Sequence, residues 1–217
     1  MLNSFFYIIY TVNFLLYNMK KFIDLIISYK FSLIYILFYE LIHILLGYKG
    51  NSFNIRNDLQ STDNIPCPYY FLHKIYDIIK KENIKSFVDL GCGNGRVLYF
   101  FNKKMKIDYL GVELFEDAFN SCLKIFKNNH NVKLIKKSFF DLDFKNTYDC
   151  YFLNDPLKEV GEHNRLVTTI ISSLGQSQKP LFVTVNLTEG KSEVFASMNL
   201  LYSLKISSRS INIYKYV

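Results

Sequence analysis

Tryptophan is absent from these 217 residues, and alanine occurs only at positions 118 and 196. Isoleucine, asparagine, lysine, phenylalanine and tyrosine are abundant instead, a bias of the kind an AT-rich genome produces. The net charge of +7 therefore carries less meaning than it would in a balanced composition. The lysines are scattered, with no dense basic run, so a nucleic acid is not the favoured partner. The four cysteines, Cys67, Cys92, Cys122 and Cys150, form no CxxC pair. Neither a zinc site nor a disulfide framework is expected, and a reduced compartment is the simple reading. Histidines 43, 73, 130 and 163 lie far apart, and no metal site is expected. Half the residues are hydrophobic, enough to bury one domain-sized core with an appendage left over.

Charge is missing altogether from residues 1–18, which are rich in Phe, Tyr, Ile and Leu and are followed by Lys20 and Lys21. A short membrane span at 3–18 is one reading. Translation from Met19 is another, with the preceding residues an over-extension. From Phe22 to Leu46 the spacing predicts a helix. Its polar positions Asp24, Ser28, Ser32, Tyr35, Tyr39 and His43 form one narrow stripe. The rest of its surface is apolar and suits a membrane interface, the main domain or a partner. A cleaved signal peptide does not fit, since Asp24 and Lys30 interrupt the run and no small-residue cleavage site follows. The expected organisation is an apolar helical leader at 1–50, a polar linker at 51–65 and a domain at 66–217. The expected location is cytoplasmic, peripheral to or anchored at the inner face of a membrane.

Proline and glycine are scarce too, four and nine, and three of the glycines fall within FVDLGCGNGRVLYF, residues 87–100. Beyond Pro68 the pattern alternates. An amphipathic helix is expected with Phe71, Leu72, Ile75, Ile78 and Ile79 on one face. A strand follows at 86–90 and a helix from Arg96. The next strand is 108–113, then a helix at 115–127 with Phe115, Ala118, Phe119, Cys122, Leu123 and Phe126 inward. Strands near 132–135 and 148–153, a helix at 165–174, a strand at 181–185 and a short helix at 193–198 come next. Two β-runs, 201–206 and 211–216, have no helix between them. The class is α/β: a doubly wound, mostly parallel seven-stranded sheet with an antiparallel C-terminal edge hairpin. The glycines then sit in the first strand-to-helix turn, at the carboxyl edge where ligands bind. Their spacing is G-x-G-x-G, and Asp89 stands two residues ahead of Gly91. A carboxylate there would repel a pyrophosphate and attract a cation.

The segment Asp89-Leu90-Gly91-Cys92-Gly93-Asn94-Gly95-Arg96 resembles the first motif of class I S-adenosylmethionine-dependent methyltransferases, and the likeness runs from about Pro66 to the C-terminus. It implies a Rossmann-like methyltransferase fold, S-adenosyl-L-methionine as cofactor and methyl transfer as the activity. It further implies that Gly91, Cys92, Gly93 and Gly95 cradle the methionine part while Asp89 helps hold the amino end. Glu113 would bind the ribose hydroxyls, with Leu114 beside it. Ser138 stands where the family's adenine-binding acid falls, Phe139 would flank the adenine, and Asp141 lies close by. Asn154, Asp155 and Pro156 resemble the family's N-P-F or (N/D)-P-P-Y motif at the methyl-transfer end, although no second proline or aromatic follows. Asp155 would orient the nucleophile, take its proton, or serve only as a helix cap. The acceptor is a methylatable substrate of unspecified class, with a protein lysine and a small metabolite the leading candidates. A non-catalytic cofactor-binding regulator or membrane-anchored assembly factor is the alternative. Oligomeric state is left open.

Overall fold

The computed structural model describes residues 32–52, 65–144, 148–206 and 209–217. The 3–18 segment, the first part of the helix expected from Phe22, and most of the linker lie outside the described residues.

Two helices come first, α1 at Ser32–Leu45 and α2 at Tyr69–Ile79. The alternating part runs β1 Ser86–Leu90, α3 Arg96–Lys104, β2 Asp108–Glu113, α4 Glu116–Phe126 and β3 Val132–Lys136. It continues through β4 Cys150–Leu153, α5 Val160–Ser172 and β5 Leu181–Val185. A hairpin of β6 Asn199–Ile206 and β7 Arg209–Lys215 closes the chain. The sheet order is β3-β2-β1-β4-β5-β7-β6, with the first five strands parallel and the hairpin antiparallel. This is the Rossmann-like methyltransferase fold. Strand order reverses between β1 and β4, and that switch point opens the crevice at the carboxyl edge.

Side chains alternate across the sheet as a period of two requires. Phe87, Cys150, Phe152 and Val183 join the core against α2 and α3, while Val88, Leu90, Tyr151 and Phe182 join the core against α5. Asp89 shares the face of Phe87, beneath the glycine turn. Among the described residues the β3–β4 connection carries only a 3-10 turn at Phe139–Asp141, capped by Ser138.

Four expectations need correction. Helix α5 begins five residues earlier than the sequence suggests and stops at Ser172, ahead of Gly175. Leu123, expected inward, is exposed on α4, because the buried face is set by Ala118, Cys122 and Phe126. The helix expected at 193–198 is a single 3-10 turn, Glu193–Phe195. Of the polar stripe read along the first helix, Tyr35 is exposed while Tyr39 and His43 turn toward the domain. The Tyr39 ring lies against Tyr70 and His73, and His43 stacks on Tyr69. Among the described residues no helix is long and apolar enough to cross a membrane. The edge strand β6 carries a register irregularity between Leu200 and Tyr202.

Candidate functional site

The glycine turn is held by backbone bonds before any ligand is considered. Gly91 N and Cys92 N both donate to Val112 O, at 2.9 and 3.0 Å, and Gly95 N donates to Cys92 O at 2.9 Å. These bonds fold the chain back over the end of β2. They require left-handed backbone at Gly91, φ 85°, and at Gly95, φ 84°, a region that costs any residue with a Cβ. The two have different duties. A Cβ on Gly95 would sit 2.7 Å from Cys122 Sγ, so Gly95 serves the packing of α3 on α4. A Cβ on Gly91 would meet Pro156 at 3.2 Å and the Phe139 ring at 3.8 Å. Gly91, Phe139 and Pro156 therefore touch, bringing the ends of β1, β3 and β4 together.

Glu113 ends β2 and pins the turn. Its Oε2 accepts from Gly93 N at 2.8 Å and its Oε1 from Phe115 N at 2.9 Å. A carboxylate has about four lone-pair sites, so it can accept more bonds than these two. Leu114, next along, is exposed at the rim.

Asp89 is buried, and its Oδ2 has no hydrogen-bond partner. Burial pushes this carboxyl well above the usual range, and the Glu113 carboxylate pushes it further the same way. A buried acid so placed is matched by a cationic ligand group. Asp89, Gly91, Cys92, Asn94, Arg96 and Asn154 line one small pocket, a cavity of about 20 Å³, with Gly50 and Ile65 to Cys67 completing its wall. The wall is bonded in place. Asn94 Nδ2 donates to Ser52 O at 3.0 Å, and Asn154 Nδ2 donates to Ile65 O at 2.9 Å. The chemistry of these residues is of the kind the S-adenosylmethionine expected from the sequence would need: a buried carboxyl with one unpartnered oxygen, a close-approach glycine turn and the Glu113 carboxylate beside it.

The Cys92 thiol packs against Gly111 and Cys122. Hydrogen bonding with Cys122 and then burial push it far up, so it stays protonated and inert. All four cysteines are buried and free. Ser138 caps the 3-10 turn by accepting from Phe140 N, and Asp141 is exposed on that turn.

At the end of β4 the neighbours Asn154 and Asp155 diverge. Asn154 lines the pocket, whereas Asp155 turns inward with φ 42° and pairs with Lys191 Nζ at 2.6 Å. Lys191 is fully buried and also donates to Leu157 O. Burial pushes the Asp155 carboxyl up, with the Lys191 ammonium opposing. His163 is buried close by and is held neutral, its pKa pushed down to about 4 by burial and then by Lys191.

Two participants escaped the sequence reading. Arg96 closes the glycine motif and is buried. Its Nη1 reaches Glu40 Oε2 at 2.9 Å and Cys67 O at 3.1 Å, and its guanidinium lies 4.3 Å from the Tyr69 ring centroid. The signal was Glu40, a lone acid in an apolar helix, which implies a cationic partner elsewhere. Lys191 sits in a polar stretch, TEGKSE, where nothing in the spacing marks it as buried.

Residues 87–176 match the family model described as a methyltransferase domain. That stretch is similar to methyltransferase domains. Solved structures share the fold. An RNA methyltransferase from Salinibacter ruber, in complex with S-adenosyl-L-homocysteine, is 13% identical with a TM-score of 0.56 over 70% of this chain and 94% of its own. A putative methyltransferase, yhhF, from Escherichia coli is 10% identical with a TM-score of 0.59 over 70% and 87%. The N-methyltransferase NodS from Bradyrhizobium japonicum is 6% identical with a TM-score of 0.54 over 68% and 95%. No curated protein sequence matches the chain.

The lone carboxylate of Asp89 leads to a test of stability against function. Its raised pKa means that the folded state holds the proton more tightly than the unfolded chain. Stability is then greatest below the unfolded value near 4 and falls as pH rises through the folded one. Asp89→Asn is expected to gain about 1–2 kcal/mol in urea unfolding at pH 8 and little at pH 4. The same variant should bind S-adenosylmethionine at least tenfold more weakly by calorimetry. Equal stability curves at both pH values would show that the Asp89 charge costs the fold nothing.

Proposed function

We propose that this chain binds S-adenosyl-L-methionine at the carboxyl edge of β1 and β2 and transfers its methyl to a nucleophile entering past Asn154. The observation that carries the reading is the convergence of Asp89, Gly91 and Asn154 on one pocket whose turn is pinned by Glu113. The cofactor supplies a methyl already activated by its sulfonium, so the protein's task is placement and exclusion of water. Asp89 meets the ammonium, the glycine backbone approaches closely, and Glu113 holds the ribose. Ser138, Phe139 and Leu114 border the adenine end. Holding a nucleophile in line can supply roughly 7–11 kcal/mol of the barrier.

Asn154 is the acceptor-side residue in this proposal. Its side-chain oxygen is left to orient an incoming N–H or O–H, with Asn186 Nδ2 at 3.4 Å behind it. Asp155 acts from behind. Its carboxylate, paired with Lys191, fixes the left-handed turn that presents Asn154 and seats Pro156 on Gly91. Asp155 is then a positioning residue, not a base.

The catalytic unit is taken as 66–217, with 51–65 leading into it; Gly50 at the end of the leader lines the pocket, and Ser52 at the start of the linker accepts from Asn94. The acceptor is a protein lysine or a small metabolite. A cytoplasmic, membrane-peripheral location is supported by the charge-free run at 1–18.

Incubation with methyl-labelled cofactor and host lysate tests the reading and reports whether the product is protein, lipid or small molecule. Label is expected in one product class and at least a hundredfold less with Asn154→Ala, which should bind cofactor within threefold of the parent. Cofactor uptake with no labelled product from any fraction would replace the enzyme by a cofactor-binding regulator.

A further inference from the structure

Helix α1 is amphipathic in the inverted sense. Tyr39 and His43 face the domain, and the only acid of the helix, Glu40, is turned inward onto Arg96. Ile34, Leu37, Phe38, Leu41, Ile44 and Leu45 face away, each between 53% and 76% exposed. Soluble monomers rarely present so large a contiguous apolar face without a use for it.

We propose that this face of α1 docks in the plane of an anionic membrane surface. Its one-sided character sets the geometry: the described part of the helix, Ser32–Leu45, is apolar along one side and packed against the domain along the other, which suits lying along a membrane surface. Charge selects the lipid. Lys49 is exposed just beyond the helix end. Lys74 lies over the Tyr70 ring, which stacks on Tyr35 of α1. On the other flank Lys103 lies over Tyr99, which packs against Tyr48. Ammonium groups and tyrosines thus adjoin the helix that bears the apolar face, an arrangement that headgroups of negative charge accept. The chain ahead of α1 continues the character, with an uncharged run at 1–18 and then Lys20, Lys21 and Lys30.

The surface is tied to the pocket. Glu40 holds Arg96 at the first position of α3, and the backbone of Gly50 approaches so closely that a Cβ there would lie 2.4 Å from Arg96 N. Docking therefore fixes the orientation of the glycine turn relative to the membrane.

This deepens the membrane part of the reading above and is independent of methyl transfer. The test is flotation of the full chain with phosphatidylcholine vesicles containing phosphatidylserine, against phosphatidylcholine alone, with cofactor calorimetry as a check on folding. The parent should float with the anionic vesicles, less so in high salt. Phe38→Glu/Leu41→Glu should cut the partition coefficient at least tenfold with cofactor affinity unchanged. Undiminished flotation of that variant would overturn the role of α1 while leaving a peripheral location standing on other residues. No flotation of the parent would overturn both. In that event light scattering identifies the occupant: a dimer that the variant dissociates means a second copy, and a monomer means the chain's own N-terminal residues. Neither result bears on the cofactor site.

Discussion

Alanine at Glu113 is expected to lower the affinity for S-adenosylmethionine by a factor of a hundred or more. Two losses add. The first is the pair of charge-assisted hydrogen bonds that the proposed site assigns between Glu113 and the ribose, about 1.5–3 kcal/mol each. The second is preorganisation, because Glu113 also accepts from Gly93 N and Phe115 N. Without it both N–H groups lose their partner and the glycine turn loosens at the point where backbone must meet ligand. Glu113→Gln keeps one carbonyl oxygen and should fall between parent and alanine. Titration calorimetry with S-adenosylhomocysteine checks the order. An affinity within threefold of the parent for Glu113→Ala would remove this carboxylate from the site and the cofactor assignment with it.

The largest effect on stability is expected at Lys191. Lys191→Met removes the cation paired at 2.6 Å with the buried Asp155 and the donor to Leu157 O. Stripping one partner from a buried ion pair costs about 3–5 kcal/mol, since the remaining charge stays desolvated. The deficit should shrink as pH falls, because protonation of Asp155 discharges the site and burial already raises that pKa. Adding Asp155→Asn to Lys191→Met should restore at least half the loss. Asparagine tolerates the left-handed backbone at this position and carries no charge. Urea unfolding of the three proteins at pH 5 and pH 8 measures all of this. A Lys191→Met protein as stable as its parent at pH 8 would mean that the pair holds nothing together.

What the chain's own pattern revealed follows physical range. The sheet was legible because each strand is a short apolar run between turn signals, as in SFVDL, DYLGVE and LFVTV, and period two needs no tertiary information. The glycine turn was legible because positive φ restricts residue type to glycine at Gly91 and Gly95. Glu113 was singled out by the resemblance, as the acid at the end of the second strand, and its carboxylate accepts from the glycine turn at Gly93 N. Contacts between residues far apart in sequence were not. Glu40 and Arg96 are 56 positions apart, and Asp155 and Lys191 are 36 apart, so their pairing depends on how helices and loops close over the sheet. Side-chain direction at the end of β4 was equally hidden. The sequence offers Asn154 and Asp155 side by side, and only the left-handed turn at Asp155 separates the one lining the pocket from the one facing Lys191. The inversion of α1 had the same origin. A stripe of Tyr and His reads as polar by composition, yet aromatic neighbours on α2 and α3 make it the better packing surface.

The irregular register on the outermost strand has a bearing on how copies of this protein meet. The pairing register breaks between Leu200 and Tyr202, and Lys205 lies further along that margin. The opposite margin, β3, bears Lys133 and Lys136. Ammonium groups and a local kink are what globular proteins use to deter ladder growth from one molecule to the next. Ladder growth through either border is thereby disfavoured.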